Sequence, residues 1–211
     1  MTGAAPPDAR SERDLETAAR RGRMVDAAVE LAAAGGYESV QMRDVASRAE
    51  VALGTLYRHF PSKDHLLLEA LTEQASALRD RMAQRPPEGA VPAERMADVL
   101  RRATRALARR PDLTAALVTA LTSPEAGTAS HKHAVETVLR SIITTAIDGG
   151  DVADPDGVVR ILGYVWLAVL SAWVGGTLDT DQMAEDLTSA ARLLLPENER
   201  ITGGARARPH R

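Results

Sequence analysis

The chain has no cysteine, and only six of its 211 residues are aromatic: one Phe, three Tyr and two Trp. Without thiols there is no cysteine nucleophile, no Cys-ligated zinc or iron–sulfur cluster and no disulfide framework. Lysine is almost missing too, with two beside 24 arginines and 38 alanines. That bias resembles codon usage in a GC-rich genome, so an arginine is not by itself a functional signal. No β-branched, aromatic-rich run alternates between hairpin turns, which removes the strand signal. The start, Met1-Thr2-Gly3-Ala4-Ala5-Pro6-Pro7-Asp8, lacks the positive end and apolar stretch of a signal peptide, so the expected location is the cytoplasm. There is no Gly-rich phosphate loop, nucleophile elbow or His-Glu-x-x-His, and the five histidines are scattered, so neither an enzyme nor a cofactor is expected. An excess of positive charge is also absent. The 26 basic and 29 acidic residues give −3, which taken globally argues against nucleic-acid binding.

What is present is enough apolar residue, 45%, to bury a core, and helical periodicity almost throughout. Spacings of three and four recur at Val25, Ala28, Val29 and Ala32, at Met96, Val99, Leu100, Ala103 and Leu107, and at Leu187, Ala190, Ala191 and Leu194. Breaks fall at Gly35-Gly36, Pro61, Pro86-Pro87, Pro111, Ser123-Pro124, Gly149-Gly150 with Pro155, and Gly175-Gly176. The expected fold is all-α with about nine helices: a three-helix head at 20–61 and a helical body at 62–196, between disordered tails at 1–19 and 197–211. From Ile161 to Gly176 there is no charge at all. A membrane span wants about 20 apolar residues, and Arg160, Asp179 and Asp181 cut this run short. A helix buried on all sides, covered by a second subunit, is the favoured reading.

The head holds two short predicted helices, Met42 to Ala49 and Leu53 to His59, joined at Glu50-Val51-Ala52. This is a helix-turn-helix. Val45, Ala46 and Ala49 form the inner face of the first, and Leu56 and Phe60 turn inward from the second. Leu53, Gly54, Thr55, Tyr57 and Arg58 are left on the outer side. Gly54 would let backbone approach a groove, Thr55 could bond a base or phosphate, and Tyr57 and His59 could reach phosphate oxygens. Ser62 is placed to cap the next helix, with Lys63 beside its positive end, where a phosphate fits.

The run Leu53-Gly54-Thr55-Leu56-Tyr57-Arg58-His59-Phe60-Pro61-Ser62-Lys63, with Ala34-Gly35-Gly36-Tyr37-Glu38 and Met42-Arg43-Asp44-Val45-Ala46, closely resembles the DNA-binding domain of TetR-family transcriptional regulators. The resemblance implies an all-helical homodimer with a divergent body that binds a small effector and dimerises through its last two helices. It places groove and phosphate contacts on Thr55, Tyr57, His59 and Lys63, with Gln41 and Arg43 at the start of helix two. Three departures stand out: Gln41 and Ala52 where Thr or Ser often caps a helix, each costing about 1 kcal/mol; Glu50 where Gly is common in the turn, mildly strained if left-handed; and Leu53 at a frequently polar position, able to read a thymine methyl.

Gly35-Gly36-Tyr37-Glu38-Ser39-Val40-Gln41-Met42-Arg43 and the body's Val165-Trp166-Leu167 and Ala172-Trp173 are similar to the cholesterol-catabolism repressor subgroup. That likeness implies a repressor released from a palindromic operator on double-stranded DNA by a small apolar effector, a sterol-derived CoA thioester. The alternative is a repressor of an efflux or fatty-acid gene that answers a drug-like or acyl-CoA ligand. Trp166 and Trp173, seven apart on one face, are favoured as interface anchors, with Leu170, Leu187 and Leu194 completing the expected dimer seam. Arg95, Arg102, Arg105 and Arg109 read as a solvated face or as CoA-phosphate contacts, and Arg20, Arg21 and Arg23 as a solvated helix start or a DNA-flanking arm. His131-Lys132-His133 reads as a loop without metal. Asp154 and Asp156 read as helix-capping residues. Between Arg20 and Lys63 seven basic and five acidic residues give +2, against −5 elsewhere, so the total of −3 averages two regions. DNA affinity should rest on a few positioned phosphate contacts doubled by dimerisation.

Overall fold

A computed structural model describes residues 9–150 and 152–195. Among them are nine α-helices and no strand: α1 (Ala9–Ser39), α2 (Met42–Arg48), α3 (Leu53–His59), α4 (Lys63–Gln84), α5 (Pro92–Ala108), α6 (Pro111–Thr122), α7 (Ala129–Ile147), α8 (Pro155–Val174) and α9 (Thr180–Leu194). Pro92, Pro111 and Pro155 each sit in the first turn of a helix, where a missing N–H costs nothing. Asp154 caps α8 by accepting from the Gly157 N–H at 2.8 Å, and Asp156 pairs instead with Arg140 at 2.9 Å. Near its end α1 kinks at Gly35 and Gly36. Gly36 has φ 71°, a left-handed conformation in which a side chain would be strained. The kink turns the chain back, so that Ser39 Oγ reaches the carbonyls of Leu31 and Gly36 at 2.6 and 2.7 Å.

Two sequence expectations need correction here. The disordered arm drawn to residue 19 is wrong for residues 9–19, which extend α1. Residues 13–19 are exposed and have no apolar stripe because they pack on nothing, although Glu16 pairs with Arg20 at 2.9 Å. His131-Lys132-His133 is not a loop but the start of α7. The expected tails at 1–8 and 197–211 lie outside the described residues.

Burial divides into two apolar clusters. The first joins Met24, Ala28, Val45, Leu56 and Phe60 of the head to Leu66 and Leu67 of α4, and also to Leu113, Ala116, Leu117 and Ala120 of α6. Phe60, the one phenylalanine, is fully buried under the Arg21 guanidinium, 4.4 Å from its ring centre. The second unites α5, α7, α8 and α9 around Met96, Ile142, Leu162, Met183 and Leu187. The division expected at residue 61 is therefore not a division of the core, since α6 lies against α1.

Among the described residues, α8 is the one helix long and apolar enough to cross a membrane, with a mean hydropathy of 1.7. It is nevertheless packed on α6, α7 and α9 through buried Val158, Leu162 and Leu170. Within one protomer it is not covered on every side: Ile161 and Tyr164 are 41% and 65% exposed, on the side left for a second subunit by the expectation. Nor is the arginine face of α5 merely solvated. Arg95 donates to the carbonyls of Ala146 and Asp148 at 2.9 and 2.7 Å, satisfying the end of α7. Arg102 pairs with Asp98 at 2.5 Å and donates to the Arg85 carbonyl at 2.9 Å.

Candidate nucleic-acid interface

The turn between α2 and α3 sets the angle of the two helices. Glu50 takes φ 55°, so the left-handed case applies and its backbone is mildly strained, and the Val51 N–H donates back to the Ala46 carbonyl at 3.0 Å. Gln41 and Ala52 occupy the N-cap positions of α2 and α3 without a side-chain cap. The Gln41 amide donates instead to the Glu38 carbonyl at 2.9 Å. Leu56 and Phe60 bury one face of α3 completely. The opposite face presents Gly54, Tyr57 and Arg58 to solvent, with Leu53, Thr55 and His59 half-buried beside them. Tyr57 is 48% exposed and so does not fill the space between α3 and α4. A methyl group added at Gly54 would meet nothing within 4 Å. Gln41 and Arg43 are exposed at the start of α2.

Behind this face lies a polar cluster that spacing along the chain did not reveal. The Tyr37 hydroxyl donates to Asp64 Oδ1 at 2.5 Å, and Asp64 is 3% exposed. Burial, and then the Asp64 carboxylate, hold the Tyr37 phenol well above its ordinary pKa. Lys63 Nζ sits 3.7 Å from the centre of the Tyr37 ring and donates to the Tyr37 carbonyl at 3.3 Å. Ser62 stands at the N-cap of α4 but makes no cap hydrogen bond, because its Oγ lies 2.9 Å from His65 Nδ1. That corrects the expected role of its hydroxyl. Lys63 is therefore held at the edge of the face rather than free. The arginines at the start of the head are also tied down: Arg20 to Glu16, Arg21 to Glu69 at 3.0 Å, and Arg23 to the Ala49 carbonyl at 3.4 Å.

In the body, a cavity of about 420 Å³ opens between the two apolar clusters. Its walls include Leu71, Leu78, Leu107, Leu117, Leu139 and Trp166, and Asp26, Glu73, Arg81 and Arg110 add charge. A depression of about 600 Å³ beside Glu88, Glu94, Arg101 and Arg192 is larger, but its charged walls offer little to an apolar ligand. The predicted dimer seam needs revision on this geometry. Leu187 is fully buried and Leu170 is 6% exposed, both inside the protomer's own core, while Trp166 and Leu170 line the cavity. Helical period showed that these residues share faces; it could not show which neighbour covers each face. Trp173 and Leu194 remain half-buried, and Leu193 is 82% exposed.

Residues 24–70 match the family described as bacterial regulatory proteins, tetR family, and residues 89–194 match the tetracyclin repressor-like, C-terminal domain. The chain belongs to the TetR family. It is a DNA-binding transcriptional regulator, with α2 and α3 as its helix-turn-helix. Among TetR-family relatives, it is 40% identical over 182 residues to the HTH-type transcriptional repressor KstR of Rhodococcus jostii, covering 86% of this chain and 85% of that protein. To the KstR repressor of Mycobacterium tuberculosis it is 38% identical over 181 residues, covering 85% and 82%. A TetR transcriptional regulator from Rhodococcus sp. RHA1 superimposes with a TM-score of 0.78 at 33% identity, covering 87% of this chain and 99% of that one. Thermus thermophilus FadR, solved in complex with lauroyl-CoA, shares the TetR-family fold at a TM-score of 0.66 and 22% identity, covering 90% and 100%.

Proposed function

We propose that this regulator represses genes of lipid or sterol catabolism and is released from a palindromic operator by an apolar CoA thioester derived from a sterol. The observation that carries this reading is the apolar cavity of about 420 Å³ with Trp166 in its wall, within the size range of small-ligand pockets. Likeness to the KstR repressors over most of the chain adds to it. On the DNA side, Leu53, Gly54 and Thr55 face the major groove, and Gln41, Arg43, Tyr57, His59 and Lys63 hold phosphates. The operative species is a cytoplasmic homodimer that covers the exposed stripe of α8 at Ile161, Tyr164, Ala168 and Ser171, where two large apolar side chains stand in water.

Release follows from geometry. Helix α4 begins beside the recognition helix and lines the cavity from Ala70 to Arg81. A ligand that favours one tilt of α4 changes the separation of the two α3 helices in the dimer. Half-sites one turn of B-DNA apart, about 34 Å, are then no longer both engaged. Effector and DNA oppose each other reciprocally, because each acts through its differential affinity for the two states. A mobility shift with the protein's own upstream DNA tests the reading: a sterol-derived CoA thioester should dissociate the complex. Constant operator affinity during that titration, with release by lauroyl-CoA or an unrelated drug, overturns the effector assignment. Tyr164→Arg should shift sedimentation from dimer to monomer, and an unchanged dimer would refute the α8 seam.

A further inference from the structure

The charges around the cavity are not distributed evenly. Asp26 and Glu73 line it towards the head, whereas Arg81 lies eight residues beyond Glu73 on α4, about 12 Å along the axis. Arg110, which precedes α6, lines the same cavity. They are the two arginines that line the apolar cavity, and among the described residues neither has a side-chain hydrogen bond or ion pair, whereas Arg79 and Arg85 on either side of Arg81 are paired. Both are exposed where they line the cavity, so their guanidiniums are accessible to carboxylate or phosphate oxygens of a ligand. Between the charged sectors the wall is apolar, with Ala77, Leu78, Leu107 and Trp166.

We propose that the ligand lies along α4 with its anionic group on Arg81 and Arg110, away from the head, and its neutral end towards Glu73 and Asp26. This rests on the CoA-thioester reading above and adds to it a direction and two anchoring residues. The reverse orientation would bring an anion against two carboxylates. Glu73 already has its pKa raised, first by burial and then by Glu69 and Asp26, so further negative charge there is unfavourable. A ligand hydroxyl, which can donate to a carboxylate, suits that end. The class of ligand is thus an elongated apolar body with an anionic group at one end and a neutral hydrogen-bonding group at the other.

Calorimetric titration tests the orientation, using the CoA thioester of a cholesterol side-chain acid, oleoyl-CoA, and cholesterol as the uncharged probe. Arg81→Ala and Arg110→Ala should each raise the Kd for the sterol thioester roughly tenfold, the scale of one charge-assisted contact, and leave the Kd for cholesterol within about twofold. The wild-type Kd for the thioester should rise between about 50 and about 300 mM NaCl, and the double variant should lose that dependence. Arg81→Lys, which keeps the charge, should recover part of the affinity. Variants that bind the thioester as tightly as the parent, or lose thioester and cholesterol equally, overturn the orientation. A parent protein that binds neither thioester overturns the effector reading, and this assignment with it.

Discussion

Gly54 permits a test in which folding and function move in opposite directions. It stands in the first turn of α3, outside the left-handed region, with nothing within 4 Å of an added Cβ. Nothing in the protein requires a glycine there. Alanine is favoured over glycine in a helix by about 0.5–1 kcal/mol, and a chain of this size gains roughly 2–4 °C in Tm per kcal/mol. Gly54→Ala should therefore raise the melting temperature by about 1–4 °C. If the backbone of α3 approaches the groove as proposed, the same methyl projects about 1.5 Å towards the DNA. It displaces the contacts around Thr55 at a cost of about 1–3 kcal/mol, which raises the operator Kd roughly 5- to 150-fold. Circular dichroism at 222 nm reads the first effect and fluorescence anisotropy with a labelled operator reads the second. A raised Tm with unchanged operator affinity would refute the placement of this face on DNA. A lowered Tm would refute the open environment assigned to Gly54.

Four further outcomes follow from the geometry. Lys63→Ala should weaken binding to operator and random duplex alike and reduce the slope of log K against log salt by about 0.9, whereas Tyr57→Ala should weaken both without changing the slope; variants as tight as the parent refute these contacts. Tyr37→Phe keeps the ring beneath Lys63 but removes the donor to buried Asp64, so it should cost about 1.5–3 kcal/mol in urea unfolding, and a loss under about 0.5 kcal/mol would show the bond to be dispensable. Ala52→Ser supplies the missing cap of α3 and should stabilise by about 1 kcal/mol by the same measurement, with no gain counting against the cap geometry. His131 has its pKa lowered, first by burial and then by His65, with Arg21 lowering and Glu69 raising it; the unfolded chain then binds more protons below about pH 6.5, and stability should fall as pH drops through that value. His131→Gln should flatten that part of the Tm–pH profile, and an unaltered profile would assign the acid sensitivity elsewhere.

Helix ends and the helix-turn-helix were legible because their signals are local. Pro111 and Pro155 open helices, Gly175-Gly176 closes one, and Leu56 with Phe60 buries one side of α3 as their spacing requires. Residues 13–19 were not legible as helix, since a helix that packs on nothing has no apolar stripe. His131 was missed for a different reason: the small polar residues around it resemble a loop, and its T-shaped contact with His65, 5.1 Å between ring centres, depends on tertiary placement. The same holds for Tyr37, Lys63 and Asp64, which lie up to 27 residues apart. For Trp166, periodicity assigns a face and not its neighbour; within the protomer the side chain lines the cavity.

The packing of α6 into the head's own core bears on how such regulators can be recombined. A chimera that joined residues 1–61 to another regulator's body would keep Leu56 and Phe60 but lose Leu113, Ala116, Leu117 and Ala120, which pack against the same cluster. The graft would then carry a cavity or a clash along α1, each costing kilocalories. On the proposed DNA contacts, exchanging only the outward residues of α2 and α3 would leave this core intact. The same packing couples α1 to α6, so a substitution on either helix changes the fit of the other, and the cavity between the two cores borders both.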